Sequence, residues 1–170
     1  MRNIIQLRAL EMEDIDFLYD IENDMEMWKE GISNVPYSRY ALSNYIATNS
    51  NDIYIDKQLR LVIENLQGDV LGLVDLTNFN PGNRRAEVGI VVKNNERQKG
   101  YATAAIYQFI DYCKNIIHLH QLYACVNANN IASMRLFKRI GFSQCGKVKD
   151  WIFYNGQYTD AFMLQYIIDK

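Results

Sequence analysis

The chain has 170 residues, 49% of them hydrophobic and 22% charged, so one globular domain over residues 1–170 is expected. A formal net charge of −2 excludes a global basic field, and with it non-specific nucleic-acid binding. The three cysteines have no paired spacing, which predicts reduced thiols. The sequence starts without the apolar core of a signal peptide and has no apolar run of bilayer length. We therefore expect a cytoplasmic protein without a membrane partner.

Apolar residues recur at strand or helix spacing in a clear order along the chain. Alternation at Ile5, Leu7 and Ala9 predicts a first strand, and helices are predicted over residues 13–23 and 38–48. The remaining predicted elements are strands over residues 59–63, 70–77 and 86–92, a helix over 101–117, a strand over 121–126, a helix over 132–140, and strands over 142–154 and 157–168. This order predicts an α/β (α+β) domain in which an antiparallel meander leads into a parallel pair.

The stretch from Glu11 to Glu30 is strongly acidic, and Lys29 is its single basic residue. A run of acidic residues on a helix is usually a solvated face. The alternative is a local negative field that attracts a cationic substrate. The sequence leaves both interpretations open.

Residues 91–104 combine the end of a strand, a short polar loop and a helix that begins at a glycine. The first N–H groups of such a helix have no partner within it and lie at the positive end of the helix dipole, so a diphosphate can bind there. Neither a Walker A motif nor a Gly-x-Gly-x-x-Gly fingerprint occurs. Taken alone, this segment favours a phosphate site but is only moderately specific, and an ordinary strand-to-helix turn is the alternative.

A second motif, over residues 130–142, begins Asn130-x-x-Ser133 and closes a short helix at Gly141-Phe142. Together with Arg97-x-x-Gly100-x-Ala102, it resembles the GNAT superfamily of N-acetyltransferases. Three further segments, residues 7–14, 84–87 and 154–158, are similar to bacterial spermidine N-acetyltransferases and to ribosomal-protein amino-terminal acetyltransferases.

The resemblance implies a GNAT fold, in which a central mixed, mostly antiparallel sheet of about seven strands is flanked by helices. Two parallel strands, here residues 86–92 and 121–126, would splay apart at the centre, and the pantetheine arm of acetyl-CoA would lie in the gap. The implied contacts are the backbone of Ile90, Val91 and Val92, the diphosphate cradle of Arg97, Gln98, Lys99, Gly100, Tyr101, Ala102 and Thr103, and the thiol-end residues Asn130, Ser133 and Phe137.

Acetyl transfer to an amine requires a base that removes a proton from the nucleophile. Glu87, at the start of the cofactor strand, is the predicted base and would act through water. Asp75, an isolated acid in the preceding strand, would hold the cationic amine. The alternative for both residues is exposure to solvent or an ion pair with Arg84 or Arg85.

The acid that protonates the leaving thiolate is less well defined by the sequence. Many family members have a tyrosine where this chain has Phe137, and a phenyl ring cannot donate a proton. Ser133 lies one helical turn earlier and would donate a hydrogen bond to sulfur, or else cap the helix. The other candidates are Tyr101, Tyr123 and water, and a reaction without a dedicated acid is the remaining alternative.

No metal is predicted, because His118 and His120 have no accompanying cluster of cysteines or acids. Cys125, beside the predicted gap, is expected to be a buried apolar thiol rather than an acyl-carrying nucleophile.

The predicted function is transfer of acetyl from acetyl-CoA to a primary amine, preferably a polyamine or diamine, by direct attack in a ternary complex. The alternatives are acetylation of amino-terminal peptides, a non-catalytic CoA-binding regulatory domain, favoured by Phe137, and a nucleotide-binding module built on the Gly100 helix start. A homo-oligomer is compatible with each of them.

Overall fold

The computed structural model describes residues 4–30, 35–50 and 52–168. Its strands are β1 (Ile5–Ala9), β2 (Leu59–Asn65), β3 (Val70–Asn80), β4 (Arg85–Val92), β5 (Gln121–Asn127), β6 (Ser143–Tyr154) and β7 (Gln157–Ile167). Its helices are α1 (Ile15–Glu22), α2 (Met25–Trp28), α3 (Arg39–Thr48), α4 (Ile53–Asp56), α5 (Tyr101–Asn115) and α6 (Ile131–Ile140), with 3-10 turns at Met12–Asp14 and Asn94–Glu96.

The seven strands form one sheet in the order β1-β2-β3-β4-β5-β7-β6. Among the described residues, β4 and β5 are the one parallel pair, and all other neighbours are antiparallel. The predicted mixed, mostly antiparallel seven-stranded sheet is therefore confirmed. The last strand, β7, inserts between β5 and β6, so the hairpin that ends the fold extends the sheet beyond the parallel pair.

Two apolar clusters lie on opposite faces of the sheet. On one face, α5 buries Ile106, Phe109 and Cys113 in a cluster that also holds Val74 of β3 and Phe137 of α6. The smaller cluster, on the other face, joins α1 and α3 to β2 and β3; its buried members are Leu18, Leu42, Val62 and Leu73. Because successive side chains of a strand point to opposite faces, Leu73 and Val74 belong to different clusters. The central strands are thus covered by α5 on one side and by α1 and α3 on the other.

An ion-pair network fixes the start of α1 against the edge of the sheet. The Arg8 guanidinium donates to both oxygens of Asp14, at 2.7 and 2.8 Å, and its Nε donates to Glu64 Oε2 at 2.9 Å. Asp14 is 5% exposed, and the hydrogen bond from Arg8 lowers the pKa of this carboxyl. One side chain of β1 therefore joins the acidic helical segment to β2.

Each of the predicted long elements is present, with ends shifted by a few residues. Two helices that the sequence did not predict, α2 and α4, have four residues each. Such short helices have no useful apolar periodicity and depend on their surroundings. Their local signal is the aspartate cap: Asp24 accepts from Glu26 N at 2.9 Å, and Asp52 accepts from Tyr54 N at 2.8 Å.

None of the helices in the described ranges is long and apolar enough to cross a lipid bilayer.

Candidate active site

The sheet opens between β4 and β5. These two strands pair only at Arg85–Gln121, Ala86–Leu122 and Glu87–Tyr123, although β4 continues to Val92 and β5 to Asn127. The two strands therefore run side by side for three residue pairs and then separate. The unpaired edges beyond Glu87 and Tyr123 face each other across a gap at the place where the family resemblance implied one.

The pairing of β4 with β3 decides which backbone groups point into this gap. Lys93 N donates to Leu71 O at 2.8 Å across the antiparallel pair, and Leu73 stands opposite Val91. Residues on one antiparallel strand direct their N–H and C=O groups alternately to one side and the other. The groups of Val91 therefore point toward β3, whereas those of Ile90 and Val92 point into the gap. Of the three residues predicted to offer backbone groups, this register favours two.

The amino terminus of α5 follows the carboxyl end of β4. Gly100 precedes the helix with φ of +88°, a left-handed conformation that glycine adopts without steric cost. The first α-type backbone bond runs from Ala104 N to Gly100 O at 3.0 Å, so the amides of the three preceding residues, Tyr101 to Thr103, have no partner within the helix. Open space surrounds the position of an added Cβ at Gly100. The predicted diphosphate cradle thus has its amides free and room in front of them.

The basic residues of the cradle are partly committed to other groups. Arg97 Nε donates to Val92 O at 3.1 Å, and its Nη2 lies 3.9 Å from Met27 Sδ. Both partners are uncharged, so the positive charge of Arg97 is still available to an anion. Lys99 instead pairs with Glu96 at 3.0 Å. An incoming diphosphate would compete with a carboxylate for Lys99 but not for Arg97.

The start of α6 closes the far side of the gap. Asn130 caps this helix, because its Oδ1 accepts from Ser133 N at 3.0 Å, and its Nδ2 donates to Glu30 at 2.8 Å. Phe137 is 3% exposed and packs edge-on against Phe142, with 4.9 Å between the ring centroids. Both ends of the Asn130 amide therefore have protein partners, and the Phe137 ring belongs to the core.

Glu87 lies at the point where the two strands separate. It is half-buried, and its Oε2 accepts a hydrogen bond from Asn78 Nδ2 at 2.8 Å. Arg84 donates to the carbonyl of His118 at 2.7 Å, so the predicted alternative of an Arg84 ion pair does not describe this carboxylate. Tyr123, opposite Glu87 in the last pair, has a raised pKa, first because of burial and then because of the Glu87 charge.

Asp75 has a different partner from either of those predicted. Arg60 of β2 donates to both its oxygens, at 2.8 and 2.9 Å, and also donates to Glu22 of α1 at 2.5 Å. Burial opposes the charge on Arg60, but Asp75 and Glu22 outweigh it and raise the pKa of this guanidinium. These three residues line one cavity together with Ile21, Met27, Trp28, Leu73 and Val91. Two carboxylates and one guanidinium leave the cavity with one net negative charge.

The end of α2 is attached to the far side of the gap by two asparagines. Asn127 donates to Lys29 O at 2.9 Å, while Asn130 donates to the Glu30 carboxylate at 2.8 Å. Residues 29 and 30 are about 100 positions from these partners in the chain. The acidic segment that follows α1 therefore borders the opening between β4 and β5.

Several candidates from the sequence lie outside this arrangement. Within the described ranges, no group of three histidine, cysteine or acidic side chains could hold a metal ion. The three cysteines are free: Cys113 is buried, which raises its pKa to about 12, Cys125 is half-buried and Cys145 is exposed. Cys125 lies two residues beyond Tyr123 on the same face of β5, and burial raises its pKa as well. A raised pKa keeps a thiol protonated and therefore weakly nucleophilic.

The opened parallel pair, the free helix amides and the carboxylate at the gap together define an acetyltransferase of the GNAT type. A GNAT acetyltransferase domain matches residues 5–143, and the chain belongs to this family. It is accordingly an N-acetyltransferase that uses acetyl-CoA, and the predicted family and class of enzyme are confirmed.

Two relatives and two solved structures give the nearer context. A spermidine N(1)-acetyltransferase of Vibrio cholerae is 30% identical over 164 residues, which cover 95% of this chain and 91% of the relative. A putative ribosomal N-acetyltransferase of Bacillus subtilis is 32% identical over 93 residues, 55% of this chain and 51% of the relative.

The crystal structure of a Vibrio cholerae spermidine N-acetyltransferase in complex with CoA and spermine superposes with a TM-score of 0.91 at 27% identity, covering 99% of this chain and 98% of that one. A dodecameric structure of a spermidine N-acetyltransferase from the same organism gives a TM-score of 0.86 at 28% identity, covering 99% and 96%.

The sequence did not single out three side chains that shape the site: Glu22, Arg60 and Asn78. Glu22 was one acid among many in the acidic stretch. Arg60 stood in an ordinary strand pattern, and Asn78 lay where a regular strand was expected to end. Each acquires its importance from a partner between 9 and 38 residues away in the chain. Only the pairing of strands brings those partners together.

Proposed function

We propose that this enzyme transfers acetyl from acetyl-CoA to a primary amine of a polyamine or diamine, by direct attack in a ternary complex. The observation that carries the proposal is the opening of the sheet at Glu87, next to the free amides of α5. This arrangement allows the thioester and the amine to lie next to each other at the opening of the sheet. The near full-length similarity to a spermidine N(1)-acetyltransferase supports the class of acceptor.

The cosubstrate would be held along the gap and at the start of α5. The amides of Tyr101, Ala102 and Thr103 bind the diphosphate, with Arg97 adding positive charge. Gln98, Lys99 and Gly100 form the loop that leads into these amides. Ile90 and Val92 bind the pantetheine and the acetyl carbonyl through their backbone, Val91 contributes its side chain to the wall, and α6 borders the thiol end through Asn130, Ser133 and Phe137.

The chemistry requires one bond to form and one to break. The neutral amine attacks the thioester carbon, and a backbone N–H of β4 stabilises the oxyanion that develops. The carbon–sulfur bond then breaks, and CoA leaves as a thiolate. Glu87 accepts the proton of the amine, directly or through water, with the oxygen that Asn78 does not hold. The thiolate takes a proton from Ser133, Tyr123 or water.

The charge around the acceptor cavity supports a cationic acceptor. Since Arg60 occupies both oxygens of Asp75, Asp75 alone supplies no net negative charge. Glu22 restores it, and the Trp28 ring adds an aromatic wall that suits an alkyl chain or an ammonium group. We therefore assign the attraction of the distal ammonium to the Glu22–Arg60–Asp75 cluster rather than to Asp75 alone.

The experiment is an initial-rate assay of CoA release with spermidine, spermine, short diamines and amino-terminal peptides, corrected for hydrolysis of acetyl-CoA. Polyamines or diamines should give the highest kcat/KM, and double-reciprocal plots should intersect, as a ternary complex requires. Faster turnover of peptides would overturn the acceptor assignment. Parallel lines would overturn direct attack, because they indicate an acetylated enzyme.

Amino-terminal acetylation is the second candidate function, favoured by the similarity to a putative ribosomal N-acetyltransferase over about half of this chain. A protein amino terminus has an unperturbed pKa of about 8, below that of an alkyl amine, so it needs less help from a base. The peptide arm of the assay tests this candidate directly.

We also propose that residues 1–170 fold as one domain, and that copies of the chain assemble into a homo-oligomer in the cytoplasm. The near full-length match to a dodecameric homologue supports the assembly. Light scattering of the purified chain tests it, with a monomer at micromolar concentration as the contrary result.

A further inference from the structure

Strand β3 contains a bulge beside the proposed base. Thr77 pairs with Glu87 and Asn80 pairs with Arg85, so two residues of β3, Asn78 and Phe79, stand opposite the single residue between them on β4. Asn78 has φ of +51°, in the left-handed region. A bulge of this kind leaves one residue outside the ladder and changes the direction in which the following side chains point.

The bulge reverses the faces to which these side chains belong. Val74 and Leu76 lie in the α5 cluster, and strict alternation would send Asn78 to the same buried face. Instead, Phe79 joins that cluster at 6% exposure. Asn78 is turned to the opposite face, where Glu87 and Tyr123 lie.

Asn78 makes a contact there that no glycine could make. Its Nδ2 donates to Glu87 Oε2 at 2.8 Å. Glu87 and Tyr123 form the last pair before β4 and β5 separate. The amide therefore holds the carboxylate that stands at the opening of the gap.

The identity of the residue at the bulge is informative. Glycine adopts the left-handed conformation most readily, and asparagine is tolerated there at some cost. The burial of Phe79 needs the bulge but does not need an amide at position 78. The hydrogen bond to Glu87 does need it. Asparagine is common in the left-handed region, and Asn155 of this chain also adopts it with φ of +50°, so what distinguishes Asn78 is its contact with Glu87 and not its backbone alone.

We propose that Asn78 is a positioning residue that holds one oxygen of the Glu87 carboxylate and thereby aims the other at the amine; this rests on the proposed role of Glu87 as base. Although Asn78 is exposed, its hydrogen bond to one oxygen restrains rotation of the carboxylate away from the gap. Catalysis is sensitive to such placement, because a displacement of about 1 Å can cost on the order of a hundredfold in rate.

The test is Asn78→Gly, which relaxes the left-handed backbone and keeps the bulge while removing the amide. With the amine that the enzyme turns over fastest, kcat should fall roughly tenfold to a hundredfold. The KM for acetyl-CoA and the melting temperature should not fall. An unchanged kcat would overturn the proposal.

The matched control is His118→Gly. His118 also has a left-handed backbone, with φ of +58°, is exposed, and lies before β5 at the end away from the gap. This variant should keep the wild-type kcat. If it lost as much activity as Asn78→Gly, relaxed backbone rather than a missing amide would explain both results, and the proposal would fail.

A double-mutant cycle distinguishes the proposed role of Asn78 from the proposed role of Glu87 as base. If Asn78 acts through Glu87, Asn78→Gly should cause no further loss in the Glu87→Gln background. Independent losses that multiply would contradict it. If Glu87→Gln alone leaves turnover unchanged, Glu87 is not the base and the proposed role of Asn78 fails with it. If Glu87→Gln loses activity but Asn78→Gly keeps full activity, only the proposal for Asn78 fails.

Discussion

At the residue scale, the two proton transfers of the proposed reaction differ in the residues that are available for them. The proposed acceptor of the amine's proton, Glu87, receives a hydrogen bond from Asn78 at the opening of the sheet. The thiolate has no donor at position 137, because Phe137 is a phenyl ring buried against Phe142. A thiol with an unperturbed pKa of about 8.5 leaves far more readily as its anion than an alcohol would. The absence of a hydroxyl at position 137 is therefore a smaller obstacle than loss of the base would be.

The Glu22–Arg60–Asp75 cluster gives a prediction about the acceptor. Glu22→Gln leaves Arg60 paired with Asp75 but removes the cavity's net negative charge. Two charges about 4 Å apart near a protein surface interact by about 4 kcal/mol before desolvation, so the KM for spermidine should rise several-fold or more. The KM for acetyl-CoA should not change. Steady-state kinetics measure both.

Asp16→Asn is the matched control for this variant. Asp16 lies on the same helix and pairs with Arg39, but this ion pair is exposed and exposed pairs contribute little. The substitution changes the net charge by the same amount. An equal rise in KM in both variants would show that total charge matters and that the cavity does not.

At the element scale, β4 allows a prediction for individual amides. The N–H groups of Ile90 and Val92 point into the gap, whereas that of Val91 points toward β3. Binding of CoA should therefore slow hydrogen exchange at Ile90 and Val92 much more than at Val91. Exchange followed by NMR, with and without saturating CoA, measures this. Equal added protection at all three amides would indicate general stiffening of the strand instead.

The start of α5 gives a second prediction at this scale. Gly100→Val should lower CoA affinity at least tenfold, because a side chain would project beside the free amides and the left-handed backbone would be strained by about 1–2 kcal/mol. Isothermal titration with CoA measures the affinity.

The hairpin residue Gly156 offers the control for that experiment. It has φ of +77°, and open space surrounds its added Cβ, as at Gly100. Gly156→Val should lose comparable stability and retain CoA affinity. Retained affinity in Gly100→Val would contradict the diphosphate cradle.

The elements also show how far the sequence predicts this molecule. Long elements with clear periodicity, such as α5 and β4, were predicted with ends shifted by one or two residues. Their apolar residues recur at helix or strand spacing within the element itself, so the pattern can be recognised without knowing the neighbouring strands. The bulge at Asn78 interrupts alternation by one residue, too small a signal to recognise without knowing the partner strand. The site motifs were visible because glycine and helix caps act locally. The pairing of Arg60 with Asp75 and Glu22 was not, since it depends on which strands become neighbours.

At the scale of the whole molecule, the charges are divided unevenly. Residues 11–30 contain nine acidic residues and one lysine, whereas the rest of the chain contains eleven acidic and seventeen basic residues. Some of the acids have local partners: Asp14 pairs with Arg8, Asp16 with Arg39. These two acids are therefore paired within the fold, and for the other acids both interpretations of the stretch stay open to test. If the cavity lined by Glu22, Arg60 and Asp75 receives the acceptor as proposed, a negative segment beside it would favour a polyamine, and the positive remainder would favour the anionic cosubstrate.

This division of charge predicts a salt dependence that distinguishes acceptors. At saturating acetyl-CoA, the KM for spermidine should rise severalfold as ionic strength increases from about 0.02 to 0.3 M, because the Debye length is about 10 Å at 0.1 M and shortens further with added salt. The kcat should stay constant, since the chemical step occurs inside the gap. A monoamine acceptor carries fewer charges, so its KM should rise less. If the KM for spermidine did not change with salt, the acidic stretch would act only as a solvated surface, and the attraction of the acceptor would be confined to the Glu22–Arg60–Asp75 cavity.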